Sequence, residues 1–162
     1  MYHERMGALT PDDILQELQG LLEGERDPVA TLANAAALLY LHLEGINWLG
    51  FYIVRQGELV LGPFQGKPAC TRIAMGRGVC GAACQRGETM LVGDVTIFPG
   101  HIACDPQSRS ELVVPLRCRG QVVGVLDCDA PETGRFGEPE QRLLEGAALI
   151  VGRQLDAAGG SL

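Results

Sequence analysis

The sequence predicts an α+β fold on three observations. Helical periodicity marks two segments between Thr10 and Glu44, strand-like alternation takes over from Ile46, and helical periodicity returns after Gly137. With 46% hydrophobic content in 162 residues, the chain can bury one core and leaves no room for a second domain. The expected layout is a disordered N-terminus over 1–9, with Met6 as a candidate true start, followed by one domain over 10–158.

The elements follow in order. Thr10-Pro11-Asp12-Asp13 reads as a helix start: Thr10 can cap, Pro11 suits the first turn, and the acids favour the positive end of the helix dipole. Ile14, Leu15, Leu18, Leu21 and Leu22 make its apolar face. Asp27-Pro28 opens a second helix reaching about Glu44, ended by Gly45. It carries a Leu32, Ala36, Leu39 stripe, and Ala33, Ala35 and Ala37 permit close approach to a sheet. Two strands then flank Gln56-Gly57, with Trp48, Gly50, Tyr52 and Val54 on one face and Leu49, Phe51 and Ile53 on the other. Trp48 and Tyr52 thus share a side, as plain core or as the wall of a half-open pocket.

Cys70 opens a short strand, TRIAM. GRGVCG leads into a short helix, Val79 to Gln85, with Cys80 in its first turn and Cys84 on the same face. A helix N-terminus lowers a thiol pKa and can receive a carboxylate. ETMLVGDV is a further strand; LVVPLRCRG and QVVGVLDCD form a hairpin turning at Arg119-Gly120. GEPEQRLLEGAALIVGRQL closes the chain as an amphipathic helix.

Charge narrows the function. The formal charge is -7, Lys67 is the only lysine and twelve arginines are scattered, which disfavours nucleic acid and anionic membranes. No apolar run reaches the ~18 residues of a membrane span, and MYHERMGALT lacks the apolar core of a secretion signal, so a cytoplasmic protein is expected. In that reducing setting the six cysteines, at 70, 80, 84, 104, 118 and 128, are not three permanent bridges. Cys118 and Cys128 fall inside apolar strands and read as small core residues. Cys70, Cys80 and Cys104 lie at loops or element ends and are the reactive candidates.

The chemistry centres on GHIACDPQSRSELVVPL, Gly100 to Leu116. Cys104 stands in a loop opened by Pro99-Gly100, with His101 three residues before it and Glu111 seven after it at the mouth of a strand. A loop thiol with nearby proton carriers is the pattern of a nucleophilic cysteine. In Leu126-Asp127-Cys128-Asp129 the two acids point to one face and Cys128 to the other. Adjacent carboxylates at a strand end repel unless a cation or a shared proton lies between them, so the pair is either a solvated strand end or a seat for an ammonium group or a metal.

The strings ACTRI, GRGVCG, FPGHIACD, SRSELVVPL and GVLDCDAP, in this order, resemble the free methionine-(R)-sulfoxide reductase family of stand-alone GAF domains over about residues 40–150. The resemblance implies a central antiparallel sheet of about six strands with helices on both sides. It implies Cys104 as nucleophile, Cys70 and Cys80 as resolving cysteines, Glu111, Asp127 and Asp129 as substrate-binding acids, and Trp48 and Tyr52 as the aromatics holding the substrate's methyl end. It implies no cofactor beyond an external dithiol such as thioredoxin. Cys84, Cys118 and Cys128 stand outside the family's catalytic set; Cys84 is an extra or competing resolving thiol.

In such chemistry a thiolate attacks the sulfoxide sulfur while a proton reaches its oxygen, giving a sulfenic acid that Cys70 or Cys80 condenses with. Three acids raise a neighbouring thiol's pKa, a conflict eased if substrate ammonium neutralises Asp127 and Asp129 and Glu111 stays protonated as the donor. Peptide-bound methionine sulfoxide lacks the ammonium and is expected to be rejected. Two alternatives are a non-catalytic GAF module that senses a small molecule, and a zinc site built from Cys80, Cys84, His101 and Cys104. A homodimer is expected if the N-terminal helices pack across a twofold axis.

Overall fold

Six strands form one sheet, entirely antiparallel: β1 (Trp48–Arg55), β2 (Glu58–Gly66), β3 (Arg72–Ala74), β4 (Met90–Val92), β5 (Ser110–Cys118) and β6 (Gln121–Ala130), in the order β3-β2-β1-β6-β5-β4. The structure is a computed structural model describing residues 8–102, 104–160 and 162. Most of the segment expected to be disordered, 1–7, lies outside the described residues. Both predicted tight turns form with positive φ: Gln56 and Gly57 at 51° and 79°, Arg119 and Gly120 at 52° and 75°. Such turns match the right-handed twist of the strands they join.

Strand alternation divides the side chains between two cores. Leu49, Phe51, Leu112, Leu116, Leu126 and Cys128 face one way and pack under α1 (Pro11–Leu22), α2 (Pro28–His42) and α4 (Glu138–Ala157). Trp48, Tyr52, Val113 and Val125 face the other way and pack with α3 (Gly78–Arg86), which covers only part of that face. The larger core holds the domain together, and the lightly covered face is left for a pocket.

The helix starts obey their local chemistry. Thr10 and Asp13 form a reciprocal capping box, the Asp13 N–H donating to Thr10 Oγ1 at 3.2 Å and the Thr10 N–H to Asp13 Oδ2 at 2.8 Å. Asp27 Oδ1 accepts from the Ala30 N–H at 3.0 Å. Expectation and structure part at several places. Leu21 and the α2 residues Ala33 and Ala37 are exposed, because three packed elements need only a narrow apolar stripe. Helix α2 stops at His42, short of Glu44. The predicted strand ETMLVGDV shrinks to three residues followed by a 3-10 turn at Val95–Ile97. Cys70 lies before β3 rather than in it. Pro115 is tolerated inside β5 because β4 pairs only with Glu111 to Val113, leaving β5 an edge from there on.

Candidate active site

Strand register assembles the acids. Trp48 pairs with Asp129, and Asp129 with Glu111; one rung along, Gly50 pairs with Asp127, and Asp127 with Val113. Residues opposite one another share a face, so a ladder of three strands brings Glu111, Asp127 and Asp129 together on the α3 side. Cys128, between the two aspartates, turns into the other core as its alternation demands.

Aromatic packing shapes the next wall. Trp48 stacks on Phe64 and Tyr52, with ring centroids 5.3 and 5.8 Å apart. Gly50 makes this possible: a Cβ there would collide with Phe64 and come within 2.9 Å of the Trp48 ring. The polar ends of both large rings are used. Trp48 Nε1–H donates to the Lys67 carbonyl at 3.1 Å and Tyr52 Oη–H to the Cys70 carbonyl at 2.9 Å, which holds the Cys70 segment at the pocket rim. Phe64 was not singled out from the sequence, although its place in an alternating strand carried the signal.

The pocket is lined by Trp48, Tyr52, Cys80, Cys104, His101 and the three acids, with Arg77 beside the start of α3. Cys70 and Cys104 are joined in a disulfide across 34 residues, with Cα atoms 5.5 Å apart. Cys80 is a free, buried thiol whose Sγ donates to Glu111 Oε1 at 3.6 Å. Cys84, Cys118 and Cys128 are free and buried, and none of them lines the pocket. Cys118 instead donates to Asp156 Oδ1 at 2.9 Å; burial and that bond push its thiol up to about 11. The four ligands of the zinc alternative do not converge. The donor atoms that do, all within 4.8 Å among the described residues, belong to Cys80, Glu111 and Asp127.

Burial governs the electrostatics. It raises the Glu111 carboxyl, opposed by a hydrogen bond with Asp127 and by nearby His101. It lifts Asp127 well above the carboxylate range, reinforced by the charges of Asp129 and Glu111. Asp129 is lifted likewise by burial, then by Glu111 and Asp105. Cys80 was expected to have a lowered pKa at its helix N-terminus. Burial, with Asp127 and Glu111 next to it, raises it instead, since helix-end partial charges are outweighed by full charges in a dry site. Asp127 Oδ1 is buried and has no hydrogen-bond partner among the described residues. An unpaired oxygen in a proton-hoarding cluster is an open position for a cationic donor.

Residues 12–155 match the GAF domain family. The chain is 50% identical over 130 residues to the Escherichia coli free methionine-R-sulfoxide reductase, covering 80% of this chain and 79% of that one. It is 52% identical over 133 residues to protein YtsP of Bacillus subtilis, covering 81% and 82%. Its fold superposes with a TM-score of 0.88 on the X-ray structure of the Neisseria meningitidis free methionine-R-sulfoxide reductase in complex with its substrate, at 45% identity, covering 91% and 89%. The helix-covered antiparallel sheet is thus that of a GAF domain, and the chain belongs to the free methionine-R-sulfoxide reductase family.

Proposed function

We propose that this protein reduces free methionine-(R)-sulfoxide to methionine, using its own cysteines and no resident cofactor. The observation that carries the reading is the meeting of a cysteine disulfide with two buried carboxylates, Glu111 and Asp127, and the half-buried Asp129, with one oxygen of Asp127 left unpaired. The substrate ammonium binds Asp127 and Asp129, displacing the protons they hold. Its carboxylate faces the first turn of α3, which has no side-chain cap, beside Arg77. Its methyl end lies on Trp48 and Tyr52.

The Cys104 thiolate attacks the sulfoxide sulfur, and protonated Glu111 delivers its proton to the oxygen as the S–O bond breaks. The released hydroxyl then attacks the Cys104 sulfur and the bond between that sulfur and the substrate breaks, so methionine leaves and Cys104 carries the oxygen as a sulfenic acid. The Cys70 thiol then attacks the Cys104 sulfur, forming the disulfide and releasing water. Cys80, protonated against Glu111, is the second thiol in reach of the pocket. An external dithiol, thioredoxin-like, returns both cysteines to thiols. A cytoplasmic setting agrees with four unpaired cysteines, and no helix among the described residues is long and apolar enough to cross a membrane. Exposed Val29 and Leu41 on α2 support a homodimer.

Peptide-bound methionine sulfoxide brings no ammonium and would leave buried carboxylates unpaired, a loss of ~10⁴-fold or more. The test is incubation with racemic free methionine sulfoxide and a dithiol, followed by chiral analysis. The R epimer disappears, the S epimer and a peptide-bound sulfoxide persist, and Cys104→Ser stops turnover. Undiminished consumption by Cys104→Ser would overturn the reading.

A further inference from the structure

Asn47 occupies the turn before β1, and its backbone N–H donates to the Asp129 carbonyl at 3.0 Å. It is therefore fixed to the strand end that carries one of the pocket acids. Its side chain reaches the loop after Cys104: Nδ2 donates to Asp105 Oδ2 at 3.3 Å and to Ser108 Oγ at 3.2 Å, 58 and 61 residues along the chain. The loop closes on itself around that amide. The Gln107 N–H donates to Asp105 Oδ1 at 2.9 Å, and the Ser108 N–H to the Asp105 carbonyl at 3.2 Å. Ser108 is buried. Asn47 Oδ1, in contrast, is buried without a partner among the described residues. Leaving an amide oxygen unpaired costs stability, so both amide hydrogens are committed to the Cys104 loop at the expense of the acceptor.

In the oxidised protein the Cys70–Cys104 bridge already anchors this loop. In the reduced protein it does not, and the other side-chain link to the Cys70 segment, Lys67 Nζ to Gln107 Oε1 at 3.1 Å, is exposed to solvent. We propose that Asn47 is a positioning residue that keeps Cys104 over the acids while the disulfide is open, an inference that rests on Cys104 being the attacking thiol. Asn47 does not line the pocket, whereas Asp105 and Ser108 do, so it acts through them.

The test compares Asn47→Ala, Asn47→Asp and the exchange Asn47→Asp with Asp105→Asn. Asn47→Asp sets two carboxylates against each other, whereas the exchange restores one donor–acceptor pair with its direction reversed and leaves the Gln107 N–H an acceptor on the new amide. In single-turnover reduction of free methionine sulfoxide by prereduced protein, Asn47→Ala is expected to slow the step about 10-fold or more, a scale set by small misplacements of a reacting group. Asn47→Asp is slower still, and the exchange recovers most of the parental rate. Melting temperature supplies a readout that does not depend on turnover. Asn47→Ala lowers it more in the reduced than in the oxidised protein, because only there does the loop lack the disulfide, and a normal oxidised melt shows that the variant folds. Equal losses in both redox states, a parental single-turnover rate in Asn47→Asp, or no recovery in the exchange would each overturn the inference. Cys104→Ser in the same assay separates the two readings: if it abolishes turnover while the Asn47 variants keep the parental rate, only the role of Asn47 fails.

Discussion

Asp127 shows how one side chain serves binding against stability. Its carboxyl is buried, lies beside two other acids and is pushed well above its ordinary range, so the folded protein prefers it protonated. A group raised in this way gives its full stability below its unfolded pKa of about 4 and loses it as pH rises through the folded value. The empty protein should therefore lose stability as pH rises from about 4 toward neutrality. Asp127→Asn removes the ionising group: at neutral pH the variant should melt higher, by about 2–4 °C for each ~1 kcal/mol recovered in a domain of this size, while losing most of its turnover. A melt below that of the parent would show that the carboxylate is already compensated. The same protons oppose the ligand, because an ammonium group must displace them. Calorimetric affinity for free methionine should rise from mildly acidic to slightly alkaline pH, where the amine remains charged, and a flat profile would contradict proton displacement.

Among the elements, β1 and α3 carry the site in different ways. Strand β1 sends alternate residues into the two cores, and its glycine is a demand of packing: Gly50 leaves the space in which Trp48 and Phe64 stack opposite Asp127. Gly50→Ala should cost about 1–3 kcal/mol through overpacking and raise KM more than it lowers kcat, because the ring wall moves while Cys104 does not. Equal stability and kinetics to the parent would mean that the stack relaxes freely. Helix α3 contributes its start to the pocket and buries the rest. Cys84, one turn beyond Cys80, falls in that buried remainder. Cys84→Ala should therefore turn over free methionine sulfoxide at the parental rate, with the loss confined to melting temperature; a loss of dithiol-dependent recycling would instead make Cys84 a resolving thiol.

At the scale of the molecule, the two cores divide the work. The larger one joins α1, α2 and α4 to the sheet through side chains such as Leu18, Leu39 and Leu144, each fully buried. Its last helix is tied to the β5–β6 hairpin, where the Arg119 N–H and the Cys118 thiol both donate to Asp156 Oδ1. Gly152 lets that helix approach β5 so closely that any Cβ there would collide with the Arg117 carbonyl. Leu144→Ala should lower stability by about 2–5 kcal/mol and leave KM unchanged at temperatures where the protein stays folded. A shift in KM would show that the far core tunes the pocket. Such separation lets one face of a sheet keep buried carboxylates unpaired while the other face supplies the stability that tolerates them.

Much of this was legible in residue order, because local rules decide it. The alternation of Trp48 to Val54, the two-residue turns at Gln56-Gly57 and Arg119-Gly120, the capping residues Thr10 and Asp27, and the opposite facing of Cys128 and its flanking aspartates all follow from period and backbone geometry. Tertiary structure alone decided what depends on distances across the chain. It brought Glu111 opposite Asp129 through strand register, and it joined Cys104 to Cys70 while leaving Cys80 on Glu111. It also reversed the expected shift of the Cys80 thiol and made Asn47, silent in its own neighbourhood, the anchor of a loop 58 residues away. The physical reason is that period and capping are set within a few residues, whereas burial, register and the field of neighbouring charges exist only once the chain has folded.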